Sequence, residues 1–374
     1  MRHNELDKSE VFLHDLDAYD IIIMGLCQCF GEGSISLPMP RINDIISLNM
    51  SKIKVGIVGV GHLGSIHAKV YSKMDNVELV GICDCNLERA LEVGKRYKTR
   101  SFADYKDLFG KVDAASIVVP TSLHYNVAKE FLSRGIHVLI EKPITKTLSE
   151  ADELIEMAKS KDLIIQVGHV ERFNAAVLAL EKFLKKPKFV ECQRLGPFHK
   201  RVDDVGVVLD LMIHDIDIVL GLIKQEVADI EAVGLSTMSD FEDVANVRLT
   251  FEDGTIADIT ASRVTKDVVR KIRIFQEDSY ISLDYLNQEV TIFKKTGKKI
   301  LREKVKVKKV QPLNEELESF IECVQYHRKP IVSGVEGRRA LQVALAIIEK
   351  INPSALRQAK DRPEQSRGTV KAQG

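Results

Sequence analysis

From residue 53 to about residue 169 the chain repeats one pattern: a short, continuous apolar run, then a segment whose apolar residues recur every three or four positions. IKVGIVGV (53–60), VELVGICD (77–84), AASIVVP (114–120), HVLIEKP (137–143) and LIIQVGH (163–169) read as strands buried on both faces. HLGSIHAKVYSKM (62–74), NLERALEVGKRY (86–97), HYNVAKEFLSRG (124–135) and LSEADELIEMAKSK (148–161) have helical spacing, with a further short helix near 105–109. Strands separated by single helices need crossover connections, and right-handed crossovers build an open parallel sheet. Residues 51–170 are therefore expected to form a doubly wound α/β domain.

After Asn174 the period changes. AAVLALEKFLKK (175–186) and VLDLMIHDIDIVLGLI (208–223) read as helices. Seven segments alternating apolar with polar follow, from VADIEAVGLST (227–237) to KILREKVKVKKV (299–310), with turn signals EDG (252–254), EDS (277–279) and TGK (296–298). This pattern predicts an α+β domain over residues 171–351, with a large, mostly antiparallel open sheet closed by two helices, NEELESFIECVQYH (314–327) and GRRALQVALAIIEKI (337–351). One face of that sheet is packed and the other is open, which makes a homodimer or homotetramer through the sheet the expected assembly. The polar stretch 352–374 reads as a disordered tail.

Residues 1–50 have neither period. They read as an N-terminal extension or a start placed too early, since Met50 immediately precedes the first convincing strand. Their acidic opening and very short apolar stretch do not make a signal peptide. With 54 basic and 54 acidic residues the chain has no net charge to draw it to nucleic acid, and it lacks the long uncharged run of a membrane span. Six cysteines without C-x-x-C spacing fit a reduced cytoplasmic protein, and the pairs Cys27/Cys29 and Cys83/Cys85 are too sparse to argue for metal.

Gly59-Val60-Gly61-His62-Leu63-Gly64 falls where the first buried strand becomes a helix. In that context G-x-G-x-x-G is a dinucleotide fingerprint: the glycines permit the turn, the approach of a pyrophosphate and tight helix–strand packing, and the helix amides face the anion. The first domain is thus expected to be a Rossmann fold. Asp84, 20 residues past Gly64 at the end of the second strand, can accept the adenosine-ribose hydroxyls and would repel a 2′-phosphate, which favours NAD over NADP, although Arg89 nearby could pair with that phosphate.

Four further motifs follow in order: Pro120-Thr121-x-x-His124, Glu141-Lys142-Pro143, Gly168-His169 and Asp210-x-x-x-His214. Together with the glycine loop they resemble the glucose-fructose oxidoreductase, inositol dehydrogenase and MocA family of nicotinamide-dependent sugar oxidoreductases, over residues 53 to about 350. The resemblance implies that Lys142, Asp210 and His214 surround a reacting carbinol and that Pro120, Thr121, His124, Glu141 and Lys142 lie beside the cofactor. Oxidation of an alcohol sends hydride to the nicotinamide and the hydroxyl proton to a base. Histidine titrates near the working pH, so His214 is the expected base. Asp210, one helical turn away, would orient the imidazole or the substrate, and Lys142 would stabilise negative charge on the oxygen. At Gly206 the chain lacks the fuller glycine-rich lead-in of several relatives, so the backbone before Asp210 is expected to differ.

The stretch Gly168 to Asn174 and the wording DLMIHDID resemble the branch of the family that oxidises the 3-hydroxyl of UDP-N-acetylglucosamine for lipid A precursors. That branch implies cations for a diphosphate, for which Arg172, Lys200, Arg201 and Arg263 are candidates, with His169 and Asn174 as sugar contacts. An inositol or free-sugar dehydrogenase would need no such clamp. A non-catalytic NAD-binding sensor would not need Lys142, Asp210 and His214 together.

Overall fold

The computed structural model describes residues 51–198 and 205–353. Its first lobe is a six-stranded parallel sheet in the order β3-β2-β1-β4-β5-β6. The strands are β1 (Ile53–Val58), β2 (Val77–Cys83), β3 (Arg100–Phe102), β4 (Ala114–Ile117), β5 (His137–Glu141) and β6 (Ile165–Gly168). Helices α1 (His62–Tyr71), α2 (Leu87–Tyr97), α3 (Thr121–Ser133) and α4 (Leu148–Ser160) make the crossovers. Strand order reverses between β1 and β4, and open α/β sheets bind ligands at the carboxyl ends of the strands beside such a reversal. The three-residue edge strand β3 has too few residues to show a period, so the sequence pattern does not reveal it.

The second lobe is an eight-stranded sheet in the order β14-β13-β12-β11-β7-β10-β9-β8, with β8 at Val227–Leu235, β11 at Val269–Phe275 and β12 at Ser279–Asp284. Every neighbouring pair is antiparallel except β7 (Phe189–Leu195) with β10 (Ile256–Ser262). The turn signals hold: Gly254 and Gly297 take the left-handed conformation between β9 (Val244–Phe251) and β10 and between β13 (Glu289–Thr296) and β14 (Lys299–Val305). The helix expected over 175–186 is shorter, α5 (Ala175–Leu180). The central strand β7 escapes the sequence pattern because one of its inward positions holds Arg194, fully buried, where an apolar residue would have completed the alternation.

Three interiors result, and the last described helix serves two of them, one in each lobe. Along α8 (Gly334–Ile351), Leu341 packs with β5, β6 and α4 of the first lobe, while Ala340, Val343, Ala344 and Ile347 pack with the second sheet and α6 (Ile213–Ile223). Gly337 lets the helix close on β6, since a Cβ there would come within 2.6 Å of the Val167 side chain. Helix α7 (Pro312–Tyr326) returns to the first lobe, where Leu317, Phe320, Ile321 and Val324 cover the other face of the parallel sheet. No helix among the described residues is long and apolar enough to cross a membrane.

Candidate active site

Where β1 ends, Gly59 turns with a φ of 88°. A Cβ on Gly59 would stand 2.2 Å from the Val118 carbonyl oxygen, and one on Gly64 would stand 1.9 Å from the Gly59 carbonyl oxygen. Both contacts are with backbone, so no rotamer change relieves them. Gly61 differs, since a Cβ there would meet nothing nearer than Arg89 Nη1 at 3.8 Å. Helix α1 starts there with no side-chain cap, so its first amides are free to meet an anion. His62 and Leu63 stand exposed at the same place. This open, glycine-floored cradle at a helix start fits a dinucleotide pyrophosphate.

Asp84 closes the cradle on one side. Its Oδ2 accepts from the Val60 amide at 2.9 Å, its Oδ1 from the Asn86 amide at 2.8 Å, and Arg89 Nη1 approaches Oδ2 at 3.5 Å. The carboxylate thus secures the glycine loop, with a half-exposed guanidinium beside it.

On the other side, at the start of α3, Pro120 is exposed and Thr121 partly so. His124 departs from the cofactor-contacting position expected of it. It is buried, with Nδ1 2.8 Å from the Pro143 carbonyl and Nε2 2.8 Å from the Val119 carbonyl. The ring straps the end of β4 to the loop after β5, and burial keeps it below its ordinary pKa despite the two carbonyls. Glu141 also turns inward: its carboxylate meets His67 Nε2 at 3.4 Å, lies over Gly168 and accepts from the Lys142 amide at 3.3 Å. Both residues shape the loop that carries Lys142, whose bond to Pro143 is cis.

Lys142 reaches across to the second lobe. Its Nζ donates to the Asp210 carbonyl at 2.6 Å and to Asp210 Oδ1 at 3.3 Å, with both side chains about one-fifth exposed. Asp210 lies in a π-helical stretch, Val208–Met212, that leads into α6, so its backbone departs from the plain α-helix expected there. Its carboxylate faces Lys142; the imidazole of His214 has its Nδ1 buried without a partner, so Nε2 is the atom through which that ring can meet a substrate. His169 meets His214 edge-on, with ring centroids 6.0 Å apart, and both His169 nitrogens are buried without partners. Burial, then the charges of Lys142 and Arg172, push His169 down to about 3. Burial, then Lys142 and Arg194, hold His214 well below the usual 6.5. Both rings are neutral at pH 7, and each can accept a proton or donate one hydrogen bond.

Several residues expected to contact substrate belong to the interior. Arg172 pairs with Asp217 at 3.4 Å and packs over Gly221. Asn174 caps α5 through the Ala176 amide and donates to Glu171 and to the Tyr285 carbonyl. Arg263 donates to Asp243, Ser239 and the Val205 carbonyl, each at 2.8 Å. Asn174 and Arg263 have their polar atoms engaged in this way, whereas Arg172 commits only Nη1 and lies largely covered, its side chain 14% exposed. Lys200 and Arg201 lie outside the described residues, as do Cys27 and Cys29. The sequence pattern also misses what lies beneath His214: Arg194 grips Asp215 through Nε at 2.6 Å and Nη2 at 3.1 Å, and Glu171 through Nη1 at 3.0 Å. The available signal was a charged residue at an inward position of an alternating strand.

A parallel sheet with a pyrophosphate cradle at its point of reversal, facing an ammonium group and two neutral imidazoles, defines a dinucleotide-dependent oxidoreductase. Residues 53–169 match the oxidoreductase family with an NAD-binding Rossmann fold, and residues 184–282 match the GFO/IDH/MocA C-terminal domain. The chain belongs to the GFO/IDH/MocA family of oxidoreductases. It is 39% identical over 305 residues to the UDP-N-acetylglucosamine 3-dehydrogenase of Acidithiobacillus ferrooxidans, covering 80% of this chain and 97% of that one. A solved structure of that enzyme superposes with a TM-score of 0.77 over 81% of this chain and 99% of its own. The myo-inositol 2-dehydrogenase of Thermotoga maritima is 26% identical over 318 residues, covering 79% of this chain and 95% of that one. The scyllo-inositol dehydrogenase of Lactobacillus casei, solved with NAD(H) and scyllo-inositol, shares the fold at 20% identity, with a TM-score of 0.71 over 81% of this chain and 98% of its own.

Proposed function

We propose that this protein is an NAD-dependent dehydrogenase that oxidises the 3-hydroxyl of a UDP-N-acetylhexosamine to the ketone, a step toward lipid A precursors. The observation that carries the reading is the contact of Lys142 from the first lobe with Asp210 from the second, beside the unpartnered imidazole of His214. The 39% identity to a nucleotide-sugar dehydrogenase along nearly its whole length supports the substrate class. In this reading residues 51–170 hold the dinucleotide, while residues 171–351 supply the substrate site and an outward sheet face that pairs with another copy. Cross-strand stacking of Phe189, Phe275, Tyr280 and Phe293, none of them buried, supports the pairing.

The bound nicotinamide supplies the hydride acceptor. His214 takes the hydroxyl proton at Nε2. The Lys142 ammonium, anchored by the Asp210 carbonyl and carboxylate, hydrogen-bonds the reacting oxygen and stabilises the negative charge that builds on it. In this reading His169, buried edge-on against His214, supports that ring.

Incubation with NAD and UDP-N-acetylglucosamine is expected to raise NADH absorbance, with inositol and glucose giving little. Turnover of unphosphorylated polyols alone would overturn the substrate class, and no turnover of any sugar would leave a dinucleotide sensor. The preference for NAD rests on Asp84. Replacing it with serine removes the charge that opposes a 2′-phosphate and releases Arg89, so the NADP/NAD ratio of kcat/KM should rise about tenfold or more. An unchanged ratio would remove Asp84 from cofactor selection.

A further inference from the structure

Four described cations act on the imidazole pair, Lys142, Arg172, Arg194 and Arg270, and the last is the most exposed. Arg194 is fully buried, with its nitrogens on Asp215 and Glu171. Arg172 meets Asp217 through Nη1 with only 14% of its side chain exposed, and Lys142 meets Asp210. Arg270, at the start of β11 (Val269–Phe275), is directly opposite Arg194 in the antiparallel register. It therefore projects to the same face of the sheet, the one that packs α6, the helix that bears His214. Its side chain is 36% exposed and makes one ion pair, a 3.3 Å bond from Nη1 to Glu171 Oε1. That oxygen already accepts the shorter 3.0 Å bond from Arg194. The remaining N–H groups of the Arg270 fork make no other ion pair or side-chain hydrogen bond among the described residues.

The neighbourhood is that of the reacting centre. Glu171 follows His169 by two residues, and His169 lies edge-on against His214. The charge of Arg270 is among those that hold the His214 imidazole neutral. A half-exposed planar fork with most donors unengaged, beside neutral rings that suit a sugar, matches the shape and charge of a phosphate oxygen pair.

We propose that Arg270 is the anion anchor of the substrate site: it binds the diphosphate of the nucleotide sugar and so sets the preference for phosphorylated over free sugars. This rests on the nucleotide-sugar reading above, and the phosphate contact can be tested apart from turnover. UDP binding to the NADH-saturated protein is measured by calorimetry, and kcat and KM for UDP-N-acetylglucosamine by NADH formation, in wild type, Arg270→Lys and Arg270→Gln. Arg270→Gln should weaken UDP binding and raise KM about 10- to 100-fold, with kcat within about threefold. Arg270→Lys should fall between, because lysine keeps the charge without the fork, and it serves as the probe if the glutamine variant does not fold. NADH binding should stay unchanged in both. UDP that binds the wild type and is lost in the variants, with no sugar turned over, would uphold the anchor and overturn the reaction. UDP binding and KM that are unmoved by either substitution, or no UDP binding to wild type, would overturn the anchor whatever the enzyme oxidises.

Discussion

Replacing Lys142 with alanine is expected to lower kcat by about a thousandfold while NADH still binds. The ammonium group is directed at Asp210 and, among the described residues, bonds no part of the glycine cradle. Its loss removes the positive charge that meets the developing oxyanion, a term realised in the transition state, so kcat falls and KM moves little. His214→Ala should cost about as much through loss of the proton acceptor. The pH profile separates the two roles. A base must be neutral to act, and His214 becomes charged only when pH falls through a pKa held well below 6.5 by burial and by Lys142. The acid limb of kcat/KM should therefore lie below pH 6.5 in wild type and shift toward 6.5 in Lys142→Met, where one lowering charge is gone. A limb already at or above 6.5 in wild type would exclude His214 as the base. Stopped-flow NADH formation for the chemistry and fluorescence titration for the cofactor are the measurements.

Gly64→Ala should all but abolish dinucleotide binding, with affinity for NADH reduced at least a hundredfold. The added methyl would sit 1.9 Å from the Gly59 carbonyl oxygen, so either the turn opens or α1 withdraws from β1. Either movement dismantles the ring of amides before the helix, and it also costs about 1–3 kcal/mol of folding stability through overpacking. Gly61→Ala is the matched comparison. Its methyl meets no protein atom closer than 3.8 Å, so that variant should fold with normal stability and lose affinity only through collision with the ligand. Equal destabilisation of both variants in urea melts would mean that Gly61 has a packing role after all.

The two sheets were legible because their periods differ: continuous apolar runs for strands covered on both sides, alternation for strands covered on one. The elements missed broke those periods. β3 has three residues, and β7 carries Arg194 at a position where the alternation calls for an apolar side chain. The glycine loop, Lys142, Asp210 and His214 could be found because each belongs to a spaced motif whose local conformation brings it to a strand end or a helix start. Two of the phosphate-clamp candidates, Arg172 and Arg263, lie in the interior for a different reason. A basic residue in sequence has no visible partner or depth, yet Arg172 and Arg263 pair with Asp217 and Asp243 under cover, while Arg270 stays 36% exposed. His124 and Glu141 sit in the expected motifs but turn inward, a rotamer outcome fixed by the Val119 and Pro143 carbonyls and by His67.

Helix α8 faces the interiors of both lobes with different sides of the same few turns. A hinge that swung the lobes apart would have to pull one rigid rod out of two close-packed seats at once. Domain opening of the clamshell kind is thereby suppressed, and passage of ligands falls to the smaller rearrangements of loops and side chains at the mouth between the lobes. Because α8 follows every strand of both sheets in the sequence, the crevice gains its final geometry only after both sheets have been synthesised.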